Sequence, residues 1–206
     1  MNTPLSDRDL VRLHWPVHLR PALDALLEID DAMAEAALTA SQPALGAIKL
    51  AWWREALEKL DGNPAPAEPR LQAVARELIP QGVSGERLAG LEDGWLTLVD
   101  GTNDGGLVEE RGRRLFAIAG DLLGLSDPAL GQAGACWARA DVARRVGEAH
   151  WLGPVPTTGK FPRGLRPLTI LAALAARDAR RGWPPEPEAT PQRSWTILRH
   201  RLTGRL

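Results

Sequence analysis

The chain has 206 residues, of which 44% are hydrophobic and 25% are charged, and its formal net charge is −1. This composition supports one packed domain and excludes an intrinsically disordered chain. The near-neutral balance argues against a nucleic-acid binder, whose basic face would raise the net charge. The single cysteine, Cys136, can form no intrachain disulfide, which fits a reducing, cytoplasmic setting. The longest apolar run, 168–176, is far too short to span a bilayer, so we expect any membrane contact to be peripheral.

Strand signals are scarce, and Ala, Leu, Arg and Glu dominate, so the chain is predicted to be all-α. Caps, prolines and glycines indicate where its helices begin and end. Helices are predicted over 6–14, 17–39, 44–60, 68–79, 84–100, 107–123, from beyond Pro128 to about Trp151, 165–181 and 193–202. Residues 182–191 are interpreted as a proline-rich linker to a basic last helix. The whole of 1–206 is therefore predicted to be a single helical domain.

The segment 44–60 has the pattern of an amphipathic helix. At about 100° per residue, its apolar residues share one arc. The arc contains Leu45, Leu50, Trp52, Trp53, Ala56, Leu57 and Leu60. Lys49 projects from the middle of this arc. A cation aimed at a core must extend to solvent, pair with a carboxylate or bind an anionic ligand.

The preceding helix also carries one charge on its apolar side. Four acids on the opposite arc are interpreted as a solvated face: Asp24, Glu28, Asp31 and Glu35. Asp30 instead lies inside the apolar arc. Because the two successive helices each direct one charge of opposite sign inward, Asp30 and Lys49 could form a buried ion pair. Such a pair would explain both residues without any ligand.

Residues 47–57, Ala-Ile-Lys-Leu-Ala-Trp-Trp-Arg-Glu-Ala-Leu, resemble the signature helix of the squalene/phytoene synthase family, where Arg is common at the Lys49 position. Further stretches resemble the family's first aspartate-rich stretch (27–35), its mid-chain Gly-containing helix (112–124), its second aspartate-rich stretch (144–149) and its closing basic helix (194–202). The resemblance implies an all-α bundle of the isoprenoid-synthase type, here shortened, around a central cavity. The cavity residues would include Asp30, Lys49, Trp52 and Trp53.

The resemblance also implies a reaction, the head-to-head joining of two prenyl diphosphates. Two inward Asp-x-x-x-Asp pairs would hold Mg²⁺, which stabilises the departing pyrophosphate. In this chain the four positions of those pairs are Asp30, Ala34, Arg145 and Ala149, so three of the four carboxylates are missing. We therefore expect no metal cofactor and no metal-dependent reaction.

Nearby acids do not restore the pairs. Glu35 and Glu148 are each one position away, which turns their side chains about 100° around a helix. Asp141, four residues before Arg145, is expected to pair with it along the helix. The interior Asp30 would then pair with Lys49, or with Arg145 if the helices adjoin.

Three functions are compatible with these residues. The first is a non-catalytic family member that binds a protein partner, as in the branch that includes an assembly factor for mitochondrial respiratory complex I. The second is an active Mg²⁺-dependent prenyl synthase whose atypical metal ligands would be Asp30, Glu35, Asp141 and Glu148. The third is a protein that binds an isoprenoid lipid or a membrane surface. Its cavity would be lined by Trp52, Trp53, Trp95 and Trp137, and its lipid contacts made by Arg193, Arg199, Arg201 and Arg205.

Overall fold

A computed structural model describes residues 6–157 and 159–206. Within these ranges every regular element is a helix, which confirms the all-α class. The α-helices are α1 (Asp7–Leu13), α2 (Arg20–Leu38), α3 (Pro43–Lys59), α4 (Pro69–Glu77), α5 (Gly85–Ala89), α6 (Asp93–Val99), α7 (Gly105–Leu122), α8 (Leu130–Val146), α9 (Arg166–Arg181) and α10 (Pro191–Thr203). Short 3₁₀ turns cover Val17–Leu19, Ile79–Gln81 and Ala149–Trp151. None of the described helices has the length and apolarity needed to cross a membrane.

Local signals set most helix boundaries. The side chains of five N-cap residues each accept a backbone N–H of the first helical turn, and this satisfies groups that the helix itself cannot pair. These residues are Ser6, Glu68, Ser84, Asp104 and Thr190. Gly147 and Gly204 adopt left-handed backbone angles directly after α8 and α10, which only glycine does without strain.

The end of α8 differs from the prediction. The helix stops at Val146, because Gly147 turns the chain away with φ of 83°. Ala149 follows in a separate 3₁₀ turn. The predicted continuation to Trp151 is therefore wrong, and Ala149 does not lie one turn beyond Arg145 on the same helix face.

The predicted helix over 84–100 is also wrong, because it is two helices. Between α5 and α6, the N–H groups of Leu91 and Glu92 bond to carbonyls only three residues back. Nη1 of Arg114 binds the carbonyl oxygen of Gly90 at 2.5 Å, so that oxygen is satisfied from α7 rather than by the next turn of a continuous helix. This break directs α6 across the bundle toward α2 and α7.

α2 lies at the centre of the first half of the bundle, packed against α3, α4 and α6. In the second half, α7 and α8 cross at Gly112 and Gly134. A Cβ atom on Gly112 would lie 2.1 Å from the carbonyl oxygen of Gly134, so the two backbones are in direct contact there. This close approach brings Arg111, the residue before Gly112, against α8.

The 182–191 segment is bound to the bundle at several points. Nη2 of Arg144 donates to the carbonyl oxygen of Glu186 at 2.8 Å, and Nε of Arg177 binds the Glu186 carboxylate at 2.7 Å. The N–H of Ala189 donates to the Asp7 carboxylate at 3.0 Å. The segment therefore joins α1, α8 and α9, in addition to linking α9 to α10.

Candidate functional site

Asp30, the interior acid predicted from sequence, lies on α2 where this helix meets α6, α7 and α8. Asp30 is 0% exposed. Nη1 of Arg111 lies 2.9 Å from its Oδ1 and 2.8 Å from its Oδ2, and Nε1 of Trp95 donates to Oδ1 at 2.9 Å. Both oxygens of this interior carboxylate are therefore engaged by side chains of the protein itself.

Arg111 also binds a second carboxylate. Its Nη2 donates to Oδ2 of Asp141 on α8 at 2.9 Å. The guanidinium lies over the ring of Trp95, 3.9 Å from the centroid, and 5.1 Å from the centroid of Trp137. A planar cation stacked on aromatic rings and paired at its edge is a favourable way to bury an arginine.

The alternation of acid and base continues to the surface. Nε of Arg145 binds Oδ1 of Asp141 at 2.9 Å, as the sequence predicted for this pair. Nη2 of Arg145 binds Oδ1 of Asp31 at 2.6 Å, and Arg8 on α1 binds the other oxygen of Asp31. We call these six residues the Arg–Asp network: Arg8, Asp30, Asp31, Arg111, Asp141 and Arg145. Its three acids and three bases have balanced formal charges.

The pKa values of the two interior acids shift in opposite directions. Burial raises the pKa of Asp30, and the charge of Arg111 opposes that rise. Burial also acts on Asp141, but the charges of Arg111 and Arg145 outweigh it, so the pKa of Asp141 is lowered. Asp141, which contacts two guanidiniums, is therefore the more firmly ionised acid of the pair.

The inward placement expected for Lys49 and Trp52 is wrong. Lys49 is exposed, and the partner of Asp30 is Arg111 instead. Trp52 is 47% exposed, whereas its neighbour Trp53 is 8% exposed and meets the edge of Trp52 with ring centroids 4.9 Å apart. Most of the predicted arc is buried, namely Leu50, Trp53, Ala56, Leu57 and Leu60, whereas its edge at Leu45 and Trp52 is exposed. The periodicity therefore identified most of the side that packs but not the edge at which burial stops.

The other positions singled out in sequence do not join the network. Ala34 is buried, and Glu35 turns outward to pair with Nη2 of Arg70 at 3.2 Å. Glu148 is exposed and lies 3.2 Å from Nδ1 of His150. Glu35 therefore points away from Asp30, as the helical-wheel argument predicts. Glu148 lies beyond the end of α8, so its outward position has a different cause, the turn at Gly147.

Three members of the network were missed or misread in sequence. Arg111 had a usable signal, because it lies on α7 among buried residues at helical spacing: Val108, Gly112, Leu115 and Ala119. The test that singled out Asp30 would have singled out Arg111 too. The helical wheel places Asp31 on a solvated face, whereas in the structure two arginines bind it. The part played by Arg8 left no signal, because its partner lies 23 residues away on another helix.

The donor set does not suit magnesium. Mg²⁺ needs several hard oxygen ligands in a near-octahedral arrangement. The oxygens of Asp30 and Asp141 already accept hydrogen bonds from Arg111, Arg145 and Trp95, and a cation between them would have to displace a guanidinium. In residues 6–157 and 159–206, no group of three His, Cys, Asp or Glu side chains could hold a metal ion. No reaction step through a metal follows from these residues.

The space beside the network is small. A cavity of about 60 Å³ adjoins Arg8, Trp137 and Asp141. Small-molecule sites commonly have about 300–1,000 Å³. The interior volume next to Asp30 is occupied by Trp95, Arg111 and Trp137, so a prenyl chain does not fit there.

A second buried cluster joins α1, α8, α9 and α10. Arg193 binds Oδ2 of Asp7 through Nε at 2.7 Å and Oδ1 of Asp178 through Nη1 at 2.5 Å, and Nε of Arg144 binds Oδ2 of Asp178 at 2.8 Å. Arg193 is therefore buried and cannot contact lipid, which corrects one of the four predicted lipid-binding arginines.

Comparisons with protein-family models, curated proteins and solved structures found no match to this chain.

Proposed function

We propose that this chain is a non-catalytic member of the squalene/phytoene synthase family, with a shortened isoprenoid-synthase bundle that binds a protein partner. The observation that carries the proposal is Arg111, whose guanidinium joins Asp30 to Asp141. Asp30 belongs to the stretch that resembles the family's first aspartate-rich motif. Asp141 lies one turn before the stretch that resembles the second. Their convergence across the bundle supports the resemblance, and the arginine between them supports the loss of activity.

An arginine between the two carboxylates stabilises the fold but does not supply the Mg²⁺-dependent chemistry of the family. A guanidinium stays protonated at any working pH and binds carboxylates in a fixed planar geometry. Both Nη groups of Arg111 are already paired with Asp30 and Asp141, so this guanidinium does not replace a metal bridge to a diphosphate. The network therefore acts as an internal clamp between α2, α7 and α8.

A protein partner is favoured over an isoprenoid because the space beside Asp30 is filled by side chains, while α3 exposes apolar side chains on the surface. On α3, three large apolar side chains are exposed at spacings of three and four residues, and we call them the α3 ridge: Leu45, Ile48 and Trp52. Both acidic and basic residues flank it, including Lys49 and Glu55. An exposed apolar strip with a polar rim of mixed charge is typical of a protein-binding surface.

Incubation of the purified chain with Mg²⁺ and farnesyl or geranylgeranyl diphosphate tests the loss of activity. We expect no pyrophosphate release above the blank and no change in melting temperature when Mg²⁺ and the diphosphate are added. Turnover that depends on Mg²⁺ and is lost in Asp141→Asn would overturn the proposal. It would favour an active synthase with an atypical metal site.

The binding role has its own test. Affinity capture from the source cells should retain at least one protein that is lost with the double variant Ile48→Ser/Trp52→Ser. The matched control is Trp195→Ser/Leu198→Ser, which alters an equally exposed pair on α10 and should leave the capture intact. Equal loss with both pairs would show that retention depends on general surface apolarity and not on the α3 ridge.

A further inference from the structure

A second exposed apolar strip lies on α10. Trp195, Leu198 and Leu202 are 63%, 47% and 69% exposed, and we call them the α10 ridge. At about 100° per residue they fall within an arc of about 60°. These three side chains point into solvent along one helix and form a continuous apolar strip. Large exposed apolar patches of this kind usually mark an interaction site.

The opposite side of α10 fixes this helix to the bundle. Arg193, Thr196, Ile197 and His200 are buried. At its end, Nη1 of Arg166 donates to the carbonyl oxygens of Arg201 and Leu202, both at 2.8 Å. The ridge is therefore presented outward on an anchored helix, and no rearrangement is needed to expose it.

The charged residues of α10 have one sign. The helix contains no Asp or Glu, Arg199 is exposed on the same side as Trp195, and Arg201 is half-buried near Leu198. Arg205 is exposed just after the helix ends. The α3 ridge differs in this respect, because Glu55 and Glu58 lie among its lysines. The α10 ridge is thus complementary to a surface that is both apolar and negatively charged.

We propose that the α10 ridge docks on an anionic membrane surface. Trp195, Leu198 and Leu202 would enter the boundary between headgroups and acyl chains, while the three arginines contact lipid phosphates. Stable peripheral binding generally needs two signals, an inserted apolar face and a basic patch, and α10 carries both. The inference is independent of the proposed function, since it uses neither the Arg–Asp network nor the α3 ridge.

Co-sedimentation of the full chain with vesicles tests this proposal. One set of vesicles contains phosphatidylcholine alone, and the other contains phosphatidylcholine with about one third phosphatidylglycerol. We expect binding to the anionic vesicles at low salt, at least about tenfold weaker binding to the neutral ones, and release at about 0.5 M NaCl. Absence of pelleting with anionic vesicles would overturn the proposal.

Two variants and a control assign the binding to this helix. Trp195→Ser/Leu198→Ser/Leu202→Ser removes the apolar signal and Arg199→Glu/Arg205→Glu reverses the charge, and each should weaken binding at least about tenfold. The matched control, Leu45→Ser/Ile48→Ser/Trp52→Ser on α3, should bind as the unmodified chain does. All of these positions are exposed, and circular dichroism checks that each variant folds.

Other occupants of the ridge give different results. If light scattering shows a dimer that the α10 triple variant abolishes, a second copy covers the ridge and the proposal is wrong. Equal pelleting of the α10 and α3 variants would also overturn it, because the binding would then not depend on this helix.

Discussion

Nη1 of Arg111 contacts both carboxylate oxygens of Asp30, and both side chains are wholly excluded from solvent. The pair joins α7 to α2, and its two residues are 81 positions apart in the chain. Burying two charges costs free energy that only close pairing and full hydrogen bonding offset, so the loss of either partner leaves an uncompensated charge in the core.

Arg111→Gln should therefore lower the free energy of unfolding by about 3–5 kcal/mol. Lys49→Gln is the matched control, because Lys49 is one of the two partners that the sequence predicts for Asp30, and it should change stability by no more than about 0.5 kcal/mol. Urea unfolding measures both. Comparable losses in the two variants would show that Lys49 contributes to the core after all. The double variant Asp30→Leu/Arg111→Met should recover part of the loss, because neither of these two charges is then unpaired, while Nε1 of buried Trp95 loses its acceptor.

The crossing of α7 and α8 gives a second prediction. Gly112→Ala would place a Cβ 2.1 Å from the Gly134 carbonyl oxygen. We expect a loss of about 1–3 kcal/mol or more, since the backbones must separate and Arg111 moves with them. At Gly131, also on α8, a Cβ would meet nothing closer than 3.8 Å. Gly131→Ala should therefore be neutral or stabilising by up to about 1 kcal/mol. Thermal unfolding compares the two variants.

The adjacent tryptophans of α3 should respond in opposite ways. Trp53→Ala should cost about 3–5 kcal/mol, because a buried indole leaves a large cavity. Trp52→Ala should cost no more than about 1 kcal/mol, since Trp52 loses mainly its edge contact with Trp53. Guanidinium unfolding of the two single variants provides the measurement, and a reversed order would mean that Trp52, and not Trp53, is the indole packed into the core.

His200 gives a prediction about acid stability. Its Nδ1 lies 2.9 Å from the carbonyl oxygen of Arg205 and its Nε2 lies 2.8 Å from Oγ1 of Thr169. A carbonyl can only accept, so in the neutral ring Nδ1 donates to it and the Thr169 hydroxyl donates to Nε2. Burial lowers the pKa of His200 from 6.5 to about 4.

The sign of the pH effect follows from that shift. Between pH 6.5 and about 4 the unfolded chain binds the proton more readily than the folded one. The contribution of His200 is thus fully present above pH 6.5 and is lost as pH falls, by roughly 3 kcal/mol across the window. In His200→Gln, the free energy of unfolding should decline less between pH 7 and 4.5. Parallel declines would contradict the assignment, because the buried carboxylates titrate in both proteins.

The outcomes for Asp30 on α2 and for Lys49 on α3 show what a helical wheel can and cannot predict. The helical wheel placed Asp30 in the interior, and the structure confirms it, because the rest of that arc on α2 is strongly apolar. The same reasoning failed for Lys49, because apolar residues on α3 occur on more than one side and the wheel cannot tell a packed strip from an exposed one. Arg111 could have been found from its own helix, but its pairing with Asp30 and Asp141 could not.

The sequence by itself determined the all-α class, most helix boundaries, the interior position of Asp30 and the Asp141–Arg145 pair, since these depend on propensity, capping and spacing within one helix. Only the tertiary structure decided that Arg111 is the partner of Asp30, that Arg193 is buried, and that the ridges of α3 and α10 face outward. These features depend on contacts between helices far apart in the chain. Helix packing and backbone close approach determine such contacts, and the periodicity of a single segment does not.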